Sequence, residues 1–350
     1  MGIADCWGML FNRSARLGVL STFPVCFTTL ALMTFAGDGH AELASTGLLK
    51  SPNLSPFAVL AHTPSAESAH LVPANTFEVR LSHNIANNFV SSTTKNEVLR
   101  LDGESSTSDF TLSYGLLPNL ELSIALSHMR HFGGRLDGLI SKWHRTFGLP
   151  NANRENVADN QINYRWAVNS EDRATVQASV SGLGDTVLGL GFNLHSSPGQ
   201  QITVRSSLSL PTGDAKDLLG SGTKALSSFL IASKSMHFLP FSSVLRLGVG
   251  TTLSHRSTKV NVIRRRATAS GYAGLAFKVA ENVWLKTRLE YSQGRFESSI
   301  PELNQANARL IFGGSIALKP NRVIDFAIAE DLSVAHSPDV SFHANIAARF

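Results

Sequence analysis

Apolar and polar residues alternate through a series of segments that runs from residue 76 to the C-terminus. In one segment, Leu120, Leu122 and Ile124 alternate with Glu121 and Ser123. Successive side chains of a β-strand point to opposite faces, so each segment predicts a strand with one apolar and one polar face. Each segment is also close to the roughly 9–11 residues that a tilted strand needs to cross a bilayer. Because strands cross a membrane only as a closed barrel, the pattern predicts an all-β fold, an antiparallel transmembrane β-barrel.

The connections between these segments alternate in length, which favours the same fold. Short turns lie at 117–119, 195–200, around 240, at 281–282 and at 319–321. Longer and more polar links lie between them, at 131–160, 211–224, 255–267, 294–304 and 331–338. Short periplasmic turns and longer external loops are typical of bacterial barrels. With the C-terminus on the periplasmic side, all the short turns fall on that side.

We predict 12 membrane-spanning strands. Their approximate ranges are 76–91, 97–116, 119–131, 184–195, 200–211, 224–236, 241–255, 266–280, 283–295, 305–318, 322–334 and 338–350. Two shorter segments, 161–168 and 175–181, are either an external hairpin or two further strands, so 14 strands is the alternative. Both counts are even, as in bacterial single-chain barrels.

Charged residues make up 16% of the chain, whereas soluble domains contain about 25%. A barrel explains the low value because alternate residues of its strands face lipid. Beyond residue 35 the sequence has no run of 18 apolar residues, which argues against helical membrane spans. Composition alone leaves a soluble all-β protein as the alternative.

The first 41 residues have the order of a cleaved secretory signal peptide. Arg13 and Arg16 precede an apolar stretch at 17–35, and small residues follow it. A transmembrane anchor is the alternative. Both cysteines, Cys6 and Cys26, lie in this segment, so we expect no disulfide in the processed chain.

Residues 42–75 show little periodicity and many Ser, Pro and Ala residues. We interpret this irregular segment as a periplasmic tail, a partial plug in the barrel or a disordered linker. The expected organisation is a signal peptide over 1–41, the irregular segment over 42–75 and the barrel over 76–350.

Several short phrases in the barrel region are distinctive when taken together. They are Asn87-Asn88-Phe89, Leu99-Arg100-Leu101-Asp102-Gly103-Glu104, His131-Phe132-Gly133-Gly134-Arg135-Leu136-Asp137, Trp143-His144, Phe147-Gly148-Leu149-Pro150, Glu330-Asp331-Leu332 and Pro338-Asp339-Val340-Ser341-Phe342-His343. Together they resemble an uncharacterised family of proteobacterial outer-membrane β-barrel proteins, known as a domain of unknown function. The terminal aromatic, Phe350, resembles the assembly signal of Gram-negative barrels. The resemblance implies the cell outer membrane of a Gram-negative bacterium and recognition by the barrel-assembly machinery, but no activity.

The chain carries 31 basic and 26 acidic residues, a net charge of +5. Because export argues against nucleic acid, we expect outer-membrane lipid and lipopolysaccharide phosphates as the acidic neighbours. Arg264, Arg265 and Arg266 cluster in one predicted external loop. They would clamp lipopolysaccharide phosphates or form a solvated charge run. The sequence carries no indication of oligomeric state.

Eleven ionisable residues fall on the polar faces of the predicted strands, where they would line the lumen. They are Glu78, Arg80, Glu121, Arg246, Lys286, Arg288, Glu290, Arg309, Asp325, His343 and Arg349. Charges inside a barrel must be paired or hydrated. One interpretation is a cation-rich ring that selects anions, with Lys286, Arg288 and Arg309 on adjacent strands. The other is a salt-bridged network that fills a narrow barrel without a through-path.

The loop at 130–160 holds apolar residues at helical spacing, which predicts a short amphipathic helix. This helix would cap the rim, constrict the pore, line a ligand pocket or lie on the outer leaflet. Residues expected in the external loops and at the rim are His131, Asp137, Trp143, His144, Glu330 and Asp331. The sequence has neither a Gly-x-Ser-x-Gly elbow nor phosphate-loop spacing. We therefore assign no catalytic residue, metal or cofactor.

Three functions stay open on these grounds. The leading one is passive or selective passage of a small solute, which a continuous water path would favour. The second is a lipid- or envelope-modifying enzyme at the outer rim, which a Ser-His-acid cluster near 3 Å spacing would favour. The third is a closed structural barrel or surface receptor, which a lumen plugged by residues 42–74 would favour.

Overall fold

The structure is a computed structural model that describes residues 47–147, 157–238, 241–255, 264–332, 338 and 340–350. Twelve strands form a closed antiparallel barrel, which confirms the predicted fold. Around the barrel, with strands numbered along the chain, they are β1 (Phe77–Thr93), β2 (Glu97–Leu117), β3 (Leu120–Phe132), β7 (Thr186–Ser197), β8 (Gln200–Leu210), β9 (Ala225–Phe238), β10 (Phe241–Ser254), β11 (Ala267–Ala280), β12 (Val283–Ser292), β13 (Asn307–Lys319), β14 (Arg322–Asp331) and β15 (Val340–Arg349). The pairing of β15 with β1 closes the ring.

Three shorter strands extend the barrel at one end. β4 (Tyr164–Val168) and β5 (Glu171–Val176) form a hairpin that pairs with the start of β2. β6 (Val180–Leu183) pairs with the end of β3, next to the part of β3 that pairs with β7. Neither of the segments that the sequence left open adds a spanning strand. Segment 161–168 contains β4, and segment 175–181 is divided between the end of β5 and the start of β6, so the spanning strands number 12, not 14.

Three helices are described: α1 (Pro56–Leu60), α2 (Asp137–Phe147) and α3 (Pro301–Asn304). α2 lies in the loop where the sequence predicts an amphipathic helix. Glu104 fixes its start, because the Glu104 carboxylate accepts hydrogen bonds from the N–H groups of Arg135 and Leu136 at 2.6 and 2.5 Å. Gly134 has a φ of +82°, and a Cβ there would lie 2.0 Å from the Glu104 carboxyl carbon. No helix in the described residues is long and apolar enough to cross a membrane.

The sequence alternation separates an inside from an outside. On β14, Val323, Asp325 and Ala327 are buried on the lumen side, whereas Phe326 is 56% exposed on the outer side. Outward leucine and phenylalanine side chains recur on the other strands and form the apolar surface that lipid covers in such barrels. We call the end where β1 begins and β15 ends the short-turn end. The opposite end, with α2, α3 and the β4–β5 hairpin, is the long-loop end.

Candidate functional site

Residues 47–76, which we call the plug, lie inside the barrel. From Gly47 the plug runs towards the long-loop end, where it forms α1, and then returns to Ala74 beside the start of β1. Ala74 forms a bridge with Gly115 of β2. A Cβ at position 115 would lie 2.0 Å from the carbonyl oxygen of Pro73, so this close approach requires glycine. The plug includes most of the irregular segment that the sequence left as a tail, plug or linker; residues 42–46 lie outside the described residues.

Six cationic side chains of the barrel donate hydrogen bonds to carbonyl oxygens of the plug. The donors are Arg205, Arg264, Lys286, Arg288, Arg295 and Arg309. The acceptors are the carbonyl oxygens of Gly47, Leu49, Ser51, Pro52, Leu60, Ala61, His62, Ser68 and His70, at 2.6–3.3 Å. A carbonyl oxygen is present at every residue. These contacts therefore hold the path of the plug without depending on the identity of its side chains.

Apolar contacts hold α1 at the long-loop end. The ring of Phe57 meets those of Trp166 and Phe296 edge to face, with centroids 5.7 and 6.4 Å apart. Leu60 is fully buried in the same cluster. Other members of the cluster come from β1, β2, β5 and the long loops: Val90, Leu99, Leu101, Ala174, Val176, Ala215, Leu218, Ile300 and Leu303. Closer to the short-turn end, Leu49 packs on Ile311 and neighbouring alanines of β14. The plug is thus held by apolar burial as well as by charged hydrogen bonds.

The structure places the eleven ionisable residues expected in the lumen on the inner side of their strands. Two clusters share carboxylates among several cations. Glu78 pairs with Arg80 at 2.9 Å and with Arg349 at 2.8 Å, and Arg80 also approaches Asp325 at 3.6 Å. In the second cluster, Glu290 lies between Arg288 at 2.9 Å and Arg309 at 2.5 Å.

The other predicted lumen residues lie around these clusters. Glu121 pairs with Arg205 at 2.7 Å and accepts a hydrogen bond from the N–H of Val72 in the plug. His343 lies 2.8 Å from Asn84 across the β1–β15 pair. Lys286 and Arg246 are both buried, with Lys286 bound to the carbonyl oxygen of Gly47. The geometry combines a salt-bridged network with cations that are bound to the plug.

The cationic surroundings also act on the plug. Burial, followed by the charges of Arg264 and Arg295, lowers the pKa of His62 to about 4. Its Nε2 atom lies 3.0 Å from the hydroxyl of Thr223. Burial lowers the pKa of Arg264 and of Arg295 to about 10. At neutral pH His62 is therefore uncharged, while both arginines stay cationic.

A cavity of about 350 Å³ lies between the plug and the wall formed by β1, β2, β3, β7, β8 and β9. The hydroxyl groups that line it on the wall belong to Ser82, Thr107, Thr111, Ser113, Ser123, Ser127, Ser206, Ser207, Ser209 and Ser227. Charged residues of both signs also line it: Lys50, Glu67, Glu78, Arg80, Asp109, Glu121, Asp185, Arg205 and Arg349. Its lining extends from Ser113, near the short-turn end, to Met129, near the long-loop end. The volume is within the range of small-molecule sites.

His131, expected at the rim, forms a buried pair with Ser105. The Ser105 hydroxyl lies 2.9 Å from His131 Nδ1, while His131 Nε2 lies 3.0 Å from the carbonyl oxygen of Leu218. A carbonyl only accepts, so Nε2 carries the proton and Nδ1 accepts from Ser105. The distance suits a nucleophile and its base, but both side chains are fully buried. In the described residues, this pair connects a long loop to β2 and β3 and is not the exposed Ser-His-acid cluster that a rim enzyme would need.

The remaining rim residues occupy separate positions. Asp137, at the start of α2, accepts hydrogen bonds from the Asn87 side chain at 2.8 Å and from the Asn160 N–H at 2.7 Å. Trp143 and His144 lie on α2, and their side chains are outside the described part. Glu330 and Asp331 end β14. By the alternation of β14, Asp331 lies on the same face as the inward residues and Glu330 lies on the opposite face.

For one of the three arginines expected to contact lipopolysaccharide, the structure shows a different position. Arg264 turns inward, where its guanidinium donates to the carbonyl oxygens of Leu60 at 2.6 Å and Ser221 at 2.9 Å. These bonds leave it facing the plug, not a lipid phosphate. Arg265 binds the Asn304 side chain at 2.5 Å. Arg266 is exposed, and for these two residues lipopolysaccharide contact stays a prediction.

Sequence reasoning missed two of the cations that bind the plug. Arg205 lies on a predicted strand, and its alternation with Ile202 and Val204 would have placed it in the lumen by the rule used for the other strands. Arg295 lies just beyond β12, where the predicted strand 283–295 and the predicted external link 294–304 overlap, and the alternation of that strand would give it the outward face. It turns inward and binds the carbonyl oxygens of Ala61 and His62, both at 3.1 Å.

Comparison with curated proteins found no match. Among solved structures, the COG4313 outer membrane channel from Pseudomonas putida F1 is similar, with a TM-score of 0.53 and 12% identity over 82% of this chain and 100% of that chain. The NanC porin has a TM-score of 0.40 and 5% identity over 78% of this chain and 98% of its own. The toluene transporter TbuX from Ralstonia pickettii has a TM-score of 0.35 and 13% identity over 90% of this chain and 99% of its own. At these identities the likeness to the channel shows the fold, that of an outer-membrane β-barrel.

A family profile described as "Protein of unknown function (DUF3187)" matches residues 22–350. The match includes the plug and every strand of the barrel. The chain is therefore an outer-membrane β-barrel protein that belongs to the DUF3187 family.

Proposed function

We propose that this protein is an outer-membrane channel for small hydrophilic solutes, with a lumen narrowed by its own plug. The observation that carries the proposal is the cavity of about 350 Å³ between the plug and the β1–β3 and β7–β9 wall. Residues 47–52 of the plug lie against the cations of β12 and β13, and residues 68–72 contact Arg205 and Glu121 on the opposite wall. The cavity is the space that remains beside residues 68–72 and this wall. This space extends along most of the barrel, as a passage requires.

The lining suits a polar solute that sheds part of its hydration. Serine and threonine hydroxyls both donate and accept hydrogen bonds, so they replace water around a hydroxylated molecule without selecting one charge. Two ion pairs line the cavity, Glu78 with Arg80 and Glu121 with Arg205. The plug sets the upper size limit, because it takes up the width that a 12-stranded barrel would otherwise offer.

A closed barrel is the second candidate, and the plug is the observation that favours it. α1 is packed between Trp166 and Phe296 at the long-loop end, where a docked plug would block a solute. A closed barrel and a narrow channel differ in one measurable property, which is solute uptake by folded protein in a sealed vesicle.

The test is uptake of arabinose and of larger sugars by liposomes that contain the refolded protein. Thr111 lines the cavity and Leu112 lies on the lipid face of the same strand. We expect Thr111→Trp to slow arabinose uptake severalfold, because an indole would fill part of the cavity. Leu112→Trp adds the same group outside the lumen and should leave uptake unchanged. Uptake by the parent no faster than in protein-free liposomes, or equal uptake by both variants, would refute the channel.

A further inference from the structure

The plug covers a strongly cationic surface of the lumen, mainly with carbonyl oxygens. Five cations donate hydrogen bonds to its first limb, residues 47–62: Arg264, Lys286, Arg288, Arg295 and Arg309. In the described part of the chain, Glu290 is the carboxylate within ion-pair distance of this set, and it contacts Arg288 and Arg309. A carbonyl oxygen carries only a fraction of a negative charge. The surface therefore keeps an excess of positive charge while the plug is docked.

Three of these cations show the excess most clearly. Lys286 binds the carbonyl oxygen of Gly47 at 2.7 Å, Arg264 that of Leu60 at 2.6 Å, and Arg295 that of Ala61 at 3.1 Å. In the ranges that the structure covers, none of the three lies within ion-pair distance of a carboxylate, although Asp325 acts on Lys286 and Asp185 acts on Arg264 from farther away. Burying a cation without an opposite charge in contact is costly. A neutral amide would donate to a carbonyl at lower cost, so holding the plug does not by itself explain three charges.

We infer that these five cations form a binding track for a linear polyanion, a chain with a carboxylate on each repeating unit, which displaces the first limb of the plug. The inference rests on the proposed function, because the ligand must enter the lumen. Its carboxylates take the places of the plug carbonyl oxygens and form stronger, charge-assisted hydrogen bonds. From Lys286 to Arg295 the track covers roughly 30 Å of extended chain. That length suits a chain molecule better than a single ion.

Competition between ligand and plug follows from this arrangement. The apparent affinity for the polyanion equals the intrinsic affinity multiplied by the fraction of molecules in which the track is uncovered, so a docked plug lowers it. A change that weakens the plug without touching the track must therefore tighten binding. Phe57 lies in the plug and contacts Trp166 and Phe296, which are not among the five cations. Phe57→Ala should therefore bind the polyanion more tightly than the parent, and a loss of folding cannot produce tighter binding.

The experiment measures binding of fluorescent hexamannuronate to refolded full-length protein by anisotropy, with maltohexaose as the neutral chain of equal length. We expect saturable binding of the hexamannuronate that weakens as salt is raised. The triple variant Lys286→Gln, Arg264→Gln, Arg295→Gln keeps N–H donors for the plug carbonyl oxygens but removes the charge. It should bind at least about 100-fold more weakly, since hydrogen bonds to charged groups contribute tenfold or more each. Arg266→Gln, an exposed change in the same loop as Arg264, should bind within about twofold of the parent.

Several results would overturn the track. They are equal binding by the triple variant and the parent, binding of maltohexaose as tight as that of the charged chain, and no binding by either the parent or Phe57→Ala. A parallel titration with linear polyphosphate separates the two kinds of polyanion, and binding of polyphosphate alone would refute the carboxylate assignment. If the parent takes up arabinose but does not bind the polyanion, the track is wrong and the channel stands. If it neither takes up arabinose nor binds the polyanion, the channel and the track are both wrong.

Discussion

Phe57→Ala tests how strongly α1 holds the plug. The Phe57 side chain is 2% exposed and packs edge to face on Trp166 and Phe296. Truncating a buried phenylalanine to alanine costs about 3–5 kcal/mol. Because Phe57 belongs to the plug and its partners to the barrel wall and a long loop, this loss falls on docking of α1. A loss of that size raises the undocked population by between roughly 150- and 4,000-fold.

The assay is thiol labelling of a reporter cysteine, Ala61→Cys. Ala61 follows α1 directly and is 4% exposed while the plug is docked. Both native cysteines lie in the predicted signal peptide, so the processed chain would carry the reporter alone. Labelling rates follow the open population when opening and closing are fast relative to the reaction. We expect Phe57→Ala to speed labelling at least about 100-fold. Phe326→Ala, the same change on the lipid-facing side of β14, is the matched control, and labelling of Phe57→Ala within twofold of that control would refute the reasoning.

Three further predictions concern other parts of the molecule. Acid should loosen the plug: His62 has its pKa lowered to about 4 by burial and nearby arginines, so undocked protein takes up a proton first as pH falls below about 6.5. The contribution of neutral His62 to the free energy of plug docking is complete above pH 6.5 and is lost towards pH 4, by at most about 3 kcal/mol. The check is a red shift of Trp166 emission over this range that is reduced in His62→Gln, and a pH-independent spectrum contradicts the prediction. Glu104→Ala should destabilise the barrel by about 1–3 kcal/mol, because it frees the two N–H groups before α2. The melting temperature measures this, and the exposed Glu171→Ala should leave it unchanged. Phe350→Ala should lower the yield of barrel assembled in cells severalfold without changing the conductance of assembled protein, since the side chain is 69% exposed at the end of the chain; equal yields would contradict an assembly signal.

Strand positions were predictable because a barrel wall repeats one physical constraint. Lipid on one side and polar contacts on the other impose a period of two on every strand. Glu121 and Leu122 illustrate the result, with exposures of 3% and 41%. The same alternation predicts that Lys286, Arg288 and Arg309 lie on the lumen face of their strands. Short turns then determined the order of the strands, because antiparallel neighbours joined by a short turn pair with each other.

The path of the plug was not predictable in the same way. Its residues have no periodicity, and its main contacts use carbonyl oxygens that every residue possesses. Arg264 was misplaced because a loop residue has no face assigned by its spacing. Arg295 was missed because it lies beyond the end of β12, where the alternation no longer holds. Their inward direction depends on the position of Leu60 and Ala61, which are distant in sequence. The cavity is likewise a result of where the plug lies, since hydroxyl-rich strand faces alone do not indicate which side of a lumen stays unfilled.

The central claim is that the lumen is a passage that the plug narrows. Single-channel conductance of the refolded protein in a planar bilayer tests it most directly, with a folded variant that lacks residues 47–72 as the comparison. The claim predicts small discrete steps for the intact protein and steps several times larger for the variant. Equal conductance of the two proteins, or no conductance by the folded variant without its plug, would contradict it.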